Sequence, residues 1–309
     1  MTGELAALCA ALVWALASVI FARLGRQRVS PLAMNLVKCA VALGLMSLTL
    51  KWQGGAWLPM TQSTRGFVLL SVSGIVGLTI GDTAYFHALK RLGARRTLLL
   101  ATLGPPTTAL LAWPALGEAL TWTKVFGMAL TLTGVLWVIS ERAPAPKDPS
   151  QAQAPTSRAT LAWGVGFALV AVLCQASGNV LTKMGNEPGL SPLELGMLRL
   201  MAGVAGLLVV VSLSGRIKDV GRALQKPRQA SLLLLATFLG TYLGIWLLMT
   251  SIQRTEVGVA ATLSSTSPLF LLILGPFVSS ERITLRAVIG TCLAVCGVAI
   301  LFGVWPDLF

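Results

Sequence analysis

Long apolar runs separated by short polar or basic segments make up most of the chain. Runs such as "AALCAALVWALASVIF" and "LLLLATFLGTYLGIWLLMTSI" have roughly the 20 residues that an apolar helix needs to cross a bilayer. The sequence lacks the short alternating segments of a membrane β-barrel. It therefore predicts an all-α integral membrane protein with ten transmembrane helices. Their approximate limits are 4–22, 31–50, 66–89, 96–116, 121–140, 160–183, 191–213, 230–252, 257–278 and 283–305.

A segment of different composition separates the fifth predicted span from the sixth. It reads "ERAPAPKDPSQAQAPTSR", is rich in Pro, Ala and Gln, and is typical of a flexible connector. Five predicted spans precede it and five follow it. We therefore divide the chain into a first five-helix repeat at 1–140, a flexible linker at 141–158 and a second five-helix repeat at 159–309.

The two halves carry matching residues at corresponding positions, which indicates an internal duplication. The matched pairs are Gly77 with Gly240, Gly81 with Gly244, Pro105 with Pro268, Glu118 with Glu281, and Lys38 with Arg199. A unit of five spans ends on the side of the membrane opposite to its start, so the second copy must have the inverted orientation. Inverted repeats are common in secondary transporters, with the solute site near the midplane between the repeats.

Composition and charge agree with a membrane protein and argue against a nucleic-acid partner. Apolar residues make up 55% of the chain and charged residues 11%, whereas soluble domains have roughly 25% charged residues. The net charge is +13, but the basic residues lie mainly between the apolar runs, where they mark cytoplasmic loops and lipid contact. The five cysteines lie inside apolar runs, so no metal site, disulfide or cofactor is predicted.

The pattern of particular residues resembles a known transporter family. The residues that carry the resemblance are Trp14, Lys38 and Arg199, the segments Pro105 to Glu118 and Pro268 to Glu281, and the glycines Gly127, Gly134, Gly290 and Gly297. Together they resemble the EamA-type transporters of the drug/metabolite transporter superfamily. The resemblance implies a carrier in the bacterial inner membrane that moves small metabolites such as amino acids, or drugs, often outward. It implies alternating access and a monomer or weak homodimer, and leaves the solute open.

Three charged residues lie well inside predicted spans, namely Lys38, Asp82 and Arg199. Charges at such depth are costly and are functional candidates. Lys38 and Asp82 are at similar depth, roughly 10 Å from one face at 1.5 Å per residue, so they can pair. Ile245 stands where the second half would match Asp82, and Arg199 therefore has no equivalent acid. We expect Arg199 to receive a carboxylate or phosphate of the solute. The structural alternatives are that Lys38 and Arg199 extend toward lipid headgroups, or that they only cap helix packing.

Polar and aromatic residues inside other spans are candidates for the wall of a central cavity. Gln175 and Asn179 share one helix face, and Ser265 precedes Pro268 in "TLSSTSP". The expected lining residues are Trp14, Tyr85, Gln175, Asn179, Tyr242, Trp246 and Ser265. Each of them is equally compatible with helix packing.

Two further questions concern helix ends and orientation. Glu118 is expected to cap the helix that starts near Thr121, with a gating ion pair as the alternative. Most basic residues between spans lie in loops on the side opposite the N-terminus, which places both termini outside by the positive-inside rule. The family resemblance implies termini inside, so the orientation stays open.

The predicted function is a secondary transporter whose partners are a small-molecule solute and the lipid bilayer, with proton coupling through Asp82 left open. One alternative is a membrane channel or scaffold without coupled transport. The other is a membrane-embedded enzyme. The sequence has no DDxxD, HExxH or GxSxG motif and a single histidine, so no catalytic activity is predicted.

Overall fold

A computed structural model of the chain describes residues 2–26, 29–55, 57–59, 63–101, 103–139, 158–267, 269–270 and 285–301. These residues form helices and short connections, with no strand among them. The helices are α1 (Gly3–Arg26), α2 (Pro31–Trp52), α3 (Thr64–Gly74), α4 (Asp82–Ala101), α5 (Gly104–Leu116), α6 (Trp122–Ile139), α7 (Arg158–Met184), α8 (Pro192–Leu213), α9 (Ile217–Gln225), α10 (Pro227–Ala236), α11 (Gly244–Arg254), α12 (Val257–Ser264) and α13 (Leu285–Leu301).

Several helical stretches are long and apolar enough to cross a membrane, and they define a multi-pass membrane protein. Within the described part of the chain they are Gly3–Phe21, Pro31–Trp52, Thr64–Leu92, Arg158–Met184, Pro192–Leu213 and Pro227–Arg254. They correspond to predicted spans one to three and six to eight. Much of the ninth predicted span and parts of the tenth lie outside the described residues, so the count of ten helices stays a prediction.

The helix boundaries differ from the sequence expectation in two places. The predicted break between residues 89 and 96 is absent, because α4 continues to Ala101. No proline interrupts the chain there before Pro105, and the basic residues of "KRLGARR" are good helix formers. Of the predicted linker 141–158, Arg158 belongs to α7, and the rest lies outside the described residues.

The amphipathic helix α9 was not predicted. It occupies the connection between α8 and α10, where Ala223 is buried and Val220 packs against the core. Arg222 is exposed on its other face and pairs with Asp219 at 3.2 Å. Its apolar residues Ile217, Val220, Ala223 and Leu224 follow a helical spacing, but nine residues are too few to cross a bilayer, so a search for apolar spans does not reveal this helix.

Two long helical stretches each contain a π-helical segment at a corresponding place. Ile75–Gly81 joins α3 to α4, and Thr237–Leu243 joins α10 to α11. The GxxxG pairs fall at these segments because neighbouring helices approach closely there. A Cβ on Gly244 would overlap the indole ring of Trp14, and a Cβ on Gly81 would lie 3.0 Å from the Cβ of Cys174. Small residues allow such contacts between membrane helices.

Helix packing follows a matched pattern in the two halves. Helix α1 packs along α10 and α11, and its counterpart α7 packs along α3 and α4. Helix α5 packs on α7, just as α12 packs on α1. The helices α2 and α8 pack on each other, as do α5 and α12, and α6 and α13. Each contact therefore has a counterpart when the first half is exchanged for the second.

Glu118 binds a helix of the opposite half, in contrast to the expectation that it caps the helix starting near Thr121. Its Oε1 accepts a hydrogen bond from the backbone N–H of Val257 at 3.0 Å, and its Oε2 accepts one from Gly258 at 3.5 Å. Thr121 caps its own helix instead, since its Oγ1 accepts from the N–H of Lys124. Glu118 lies in the connection between α5 and α6, and its side chain points across to α12. Its repeat partner Glu281 lies outside the described residues.

Two lysines hold the same junction between α11 and α12. Lys124 pairs with Glu256 at 2.6 Å. Lys183 donates to the backbone carbonyls of Ile252 and Thr255, at 2.5 and 2.9 Å. These bonds satisfy carbonyls that the end of α11 leaves without intrahelical partners. The junction is therefore held by the first half of the chain and by α7.

We expect Glu118→Ala to destabilise the protein by about 1 kcal/mol, because α12 then loses the carboxylate at its N-terminus. Thermal unfolding of the purified protein in detergent measures the change. Asp219→Ala is the matched control, since it removes a carboxylate from a surface pair that contributes little. Equal melting temperatures for the two variants would contradict the capping role.

Candidate functional site

A cavity of about 300 Å³ lies between the two halves of the chain. The helices α1, α2, α4 and α5 line it from the first half, and α7, α8, α11 and α12 line it from the second. Its wall is mostly apolar, and the charged residues among the described lining are Lys38, Asp82 and Arg199. The three charges that the sequence places inside spans thus meet at one site.

Lys38 and Asp82 form an ion pair in the wall. Lys38 Nζ lies 2.5 Å from Asp82 Oδ2, and both side chains are largely buried. Lys38 Nζ also lies 5.5 Å from the centroid of the Phe86 ring. The second carboxylate oxygen of Asp82 accepts a hydrogen bond from Gln175 Nε2 at 2.6 Å. Gln175, a residue of the second half, therefore binds the carboxylate of the ion pair in the first half.

The π-helical segment Ile75–Gly81 explains how Asp82 is positioned. A π turn breaks the regular α-helical ladder and frees backbone carbonyls for other donors. Gln175 Nε2 lies 3.2 Å from the carbonyl of Gly77, and Asn35 Nδ2 donates to the carbonyl of Leu78 at 2.8 Å. Asn35 was missed in the sequence reasoning. It stands three residues before Lys38 on α2, and a fully buried amide one turn from a buried cation is the signal that could have revealed it.

Arg199 occupies the corresponding place in the second half without an acid beside it. Only 2% of the surface of Arg199 is exposed, and its Nη1 lies 3.7 Å from the Sδ of Met249. Its Nε has no hydrogen-bond partner, and no carboxylate of a described residue lies within ion-pair distance of it. Met249 matches Phe86 in the repeat register, and Ile245 matches Asp82. The surroundings of the two cations therefore correspond, apart from the acid.

A second pair of corresponding bonds joins the halves. Trp14 Nε1 donates to the carbonyl of Gly240 at 2.7 Å, in the π segment of the second half. The bond from Gln175 to the carbonyl of Gly77 is its counterpart in the first half. The first helix of each half thus holds the π segment of the other.

The remaining predicted site residues divide into two groups. Tyr85, Asn179 and Ser265 line the cavity together with the residues above. The Oδ1 of Asn179 is buried and has no hydrogen-bond partner, whereas Ser265 Oγ donates to the carbonyl of Thr262 at 2.7 Å. Whether any of these residues contacts a solute stays a prediction.

Tyr242 and Trp246 lie outside the described lining, contrary to expectation. Thr241 and Ile245 face the cavity, and Tyr242 and Trp246 each follow by one residue, about 100° further around the helix. The Tyr242 hydroxyl lies 2.8 Å from Thr49 Oγ1, and both rings pack against the core. A contact of these two residues with a solute stays a prediction.

No group of three His, Cys, Asp or Glu side chains among the described residues comes together as a metal-ligand set. The described lining offers an apolar chamber, one ion pair, one further cation and the amides of Gln175 and Asn179. A chamber between two packed halves of a multi-pass membrane protein is the kind of site that membrane transporters have.

Comparison with known proteins gives the family. The EamA-like transporter family matches residues 1–140 and 162–303, and the chain belongs to this family. A relative from Pseudomonas fluorescens strain Pf-5 is described as "Probable 4-amino-4-deoxy-L-arabinose-phosphoundecaprenol flippase subunit ArnE". It is 40% identical over 79 residues, which are 26% of this chain and 68% of the relative. A solved crystal structure of a protein 17% identical in sequence has the same fold, with a TM-score of 0.75 over 99% of both chains.

We expect the Lys38–Asp82 pair to behave as a buried unit in unfolding measurements. Lys38→Met or Asp82→Asn alone should lower the free energy of unfolding by about 3–5 kcal/mol, because each change leaves the other member of the pair as an unpaired buried charge. The double variant should regain most of this loss, since the amide introduced at position 82 can still accept from Gln175. A double-mutant cycle of unfolding in detergent measures the coupling. Additive effects of the two single changes would show that the pair is not coupled.

Proposed function

We propose that the protein is a secondary transporter that carries a small solute through the central cavity by alternating access. In this proposal the chain forms ten transmembrane helices as two inverted five-helix repeats, 1–140 and 159–309. The observation that carries the proposal is the cavity itself, which is lined by matching helices of both halves and holds buried charged groups at its wall.

The matched packing supports alternating access over a static pore. Every major helix contact has a counterpart in the other half, so a movement that opens one end has an equivalent movement at the other. The π segments Ile75–Gly81 and Thr237–Leu243 border the cavity at Leu78 and Thr241. They are suitable hinges, because their backbone bonds are already irregular and their carbonyls bind side chains of the opposite half.

Cavity size and the curated relative limit the solute. A volume of about 300 Å³ is at the small end for ligand sites, which suits one small metabolite or one headgroup. The printed name of the relative concerns flipping of a lipid-linked sugar phosphate. For this chain we propose outward movement of a small metabolite across the bacterial inner membrane by a monomer or weak homodimer.

The alternatives differ in measurable behaviour. A channel gives flux that does not saturate, and a scaffold gives none. An enzyme would convert the solute into a chemically different product. Family members are transporters, and we propose no catalytic activity.

In proteoliposomes we expect saturable solute flux that accelerates when the same solute is present on the opposite side. Ala171→Phe should abolish this flux, because Ala171 lines the cavity and a phenyl ring would fill much of it. Leu173→Phe is the matched control, two residues away on α7 and 56% exposed on the helix surface. Flux that rises linearly with concentration would favour a channel, and equal flux in both variants would place the path elsewhere.

Proton coupling through Asp82 makes a separate prediction. An imposed pH gradient should accelerate transport by the wild type, and Asp82→Asn should remove that acceleration, because an amide cannot release and rebind the proton. Flux at equal pH on both sides serves as the reference for each protein. An unchanged pH dependence in Asp82→Asn would exclude this role.

A further inference from the structure

We propose that the solute carries a single negative charge, as a carboxylate or a phosphodiester group, and that Arg199 binds it in the place that Asp82 occupies beside Lys38. This inference rests on the proposed transport function and specifies its solute. Its physical basis is the difference between two otherwise matching cation sites in one cavity wall.

The charges of the described cavity wall do not balance. The described cavity wall holds two cations, Lys38 and Arg199, and one carboxylate, Asp82. Asp82 is used by Lys38 at 2.5 Å and by Gln175 at 2.6 Å, so both of its oxygens are bound. One positive charge is left in a mostly apolar chamber, where an uncompensated charge is costly. A solute with one negative charge balances the wall.

Arg199 is buried at the cavity wall. The residue is only 2% exposed yet reaches the cavity, so it does not extend to the lipid headgroups. Its contacts in the wall are weak: Met249 Sδ at 3.7 Å, with Nε left without a partner. A guanidinium group presents parallel N–H donors that match the two oxygens of a carboxylate or phosphate.

The two halves of the chain differ at the position of the acid beside the cation. Lys38 lies against Phe86 and pairs with Asp82, and the matching residues around Arg199 are Met249 and Ile245. Ile245 lies against α8 beside Gly196, one helical turn before Arg199, and it lines the cavity. The first half thus contains its own anion, whereas in the second half the solute supplies it.

The apolar wall and Asn179 describe the rest of the solute. Trp14, Tyr85 and Phe86 provide aromatic surface for a small apolar body. The buried Oδ1 of Asn179 is an acceptor without a partner, and it fits a solute that also carries an N–H or O–H donor.

A ligand-independent experiment tests the charge at Arg199. Ile245→Asp introduces a carboxylate at the position that matches Asp82, and Ile245→Asn is its uncharged control of the same shape. We expect Ile245→Asp to have the higher melting temperature of the two. In the Arg199→Gln background the order should reverse, because the new carboxylate then has no cation. A lower melting temperature for Ile245→Asp with Arg199 present would overturn the proposal.

A binding experiment tests the solute class. The probes are 3-phenylpropionate and its uncharged analogue 3-phenylpropanamide, measured by calorimetry on the protein in phosphatidylcholine nanodiscs. We expect wild type to prefer the acid at least tenfold, and Arg199→Gln and Ile245→Asp to lose that preference. Arg199→Lys should retain part of it, and Lys51→Gln, which removes an exposed cation at the end of α2, should retain all of it. A wild type without preference for the acid would overturn the proposal.

Two further measurements distinguish a lipid headgroup from a free solute, and the anion site from the transport function. Nanodiscs with phosphatidylglycerol show whether an anionic lipid headgroup competes for Arg199; competition assigns the anion to a lipid, and its absence assigns it to a free solute. Flux of both probes in proteoliposomes separates the proposals. Saturable flux of the amide equal to that of the acid would overturn the anion site and leave the carrier intact, whereas flux that does not saturate for either probe would overturn the carrier.

Discussion

The arrangement of this protein depends on how buried charge is balanced inside an apolar helical bundle. Lys38, Asp82 and Arg199 line one cavity, and each needs compensation there because a charge in a mostly apolar surrounding is costly. Lys38 and Asp82 compensate each other at 2.5 Å. This pair holds α2 against the start of α4, and Gln175 extends the same bonding to α7. The first half of the chain is thereby joined to the second through a charged group.

The π segments make this bonding compatible with membrane helices. A regular helix uses its own carbonyls, but Ile75–Gly81 and Thr237–Leu243 release some of theirs to side chains of neighbouring helices. Gln175 and Trp14 bind the released carbonyls of Gly77 and Gly240, each from the opposite half. The glycines that the sequence pairs as GxxxG motifs therefore serve two purposes. They allow close packing, and they lie where the backbone is irregular.

Sequence reasoning could predict much of this because the relevant signals are local or repeated. Apolar runs reveal the spans, and the shared depth of Lys38 and Asp82 predicts that they can pair. The absence of an acid at Ile245 is visible as soon as the halves are compared. Asn35 was missed because an amide in a span is common and its partner, the carbonyl of Leu78, is released only by a π turn that no motif announces. Tyr242 and Trp246 lie next to the lining residues Thr241 and Ile245, because the helix face that borders a cavity depends on three-dimensional packing. Glu118 was assigned to the wrong helix because contacts across the two halves depend on three-dimensional packing.

The two cation sites are close enough to influence each other, and this gives the asymmetry between the halves a functional meaning. Gly77 lies between them: a Cβ there would be 3.0 Å from Arg199 Nη2 and 3.9 Å from Gln175 Oε1. Gln175 in turn binds Asp82. An anion that reaches Arg199 therefore adds negative charge close to the Lys38–Asp82 pair, and in a mostly apolar surrounding the anion and the pair affect each other's stability. Coupling in this form is reciprocal, as linkage requires. It arises because one half has Asp82 where the other has Ile245, since a symmetric pair of acids would leave no site for the anion and no excess charge to attract it.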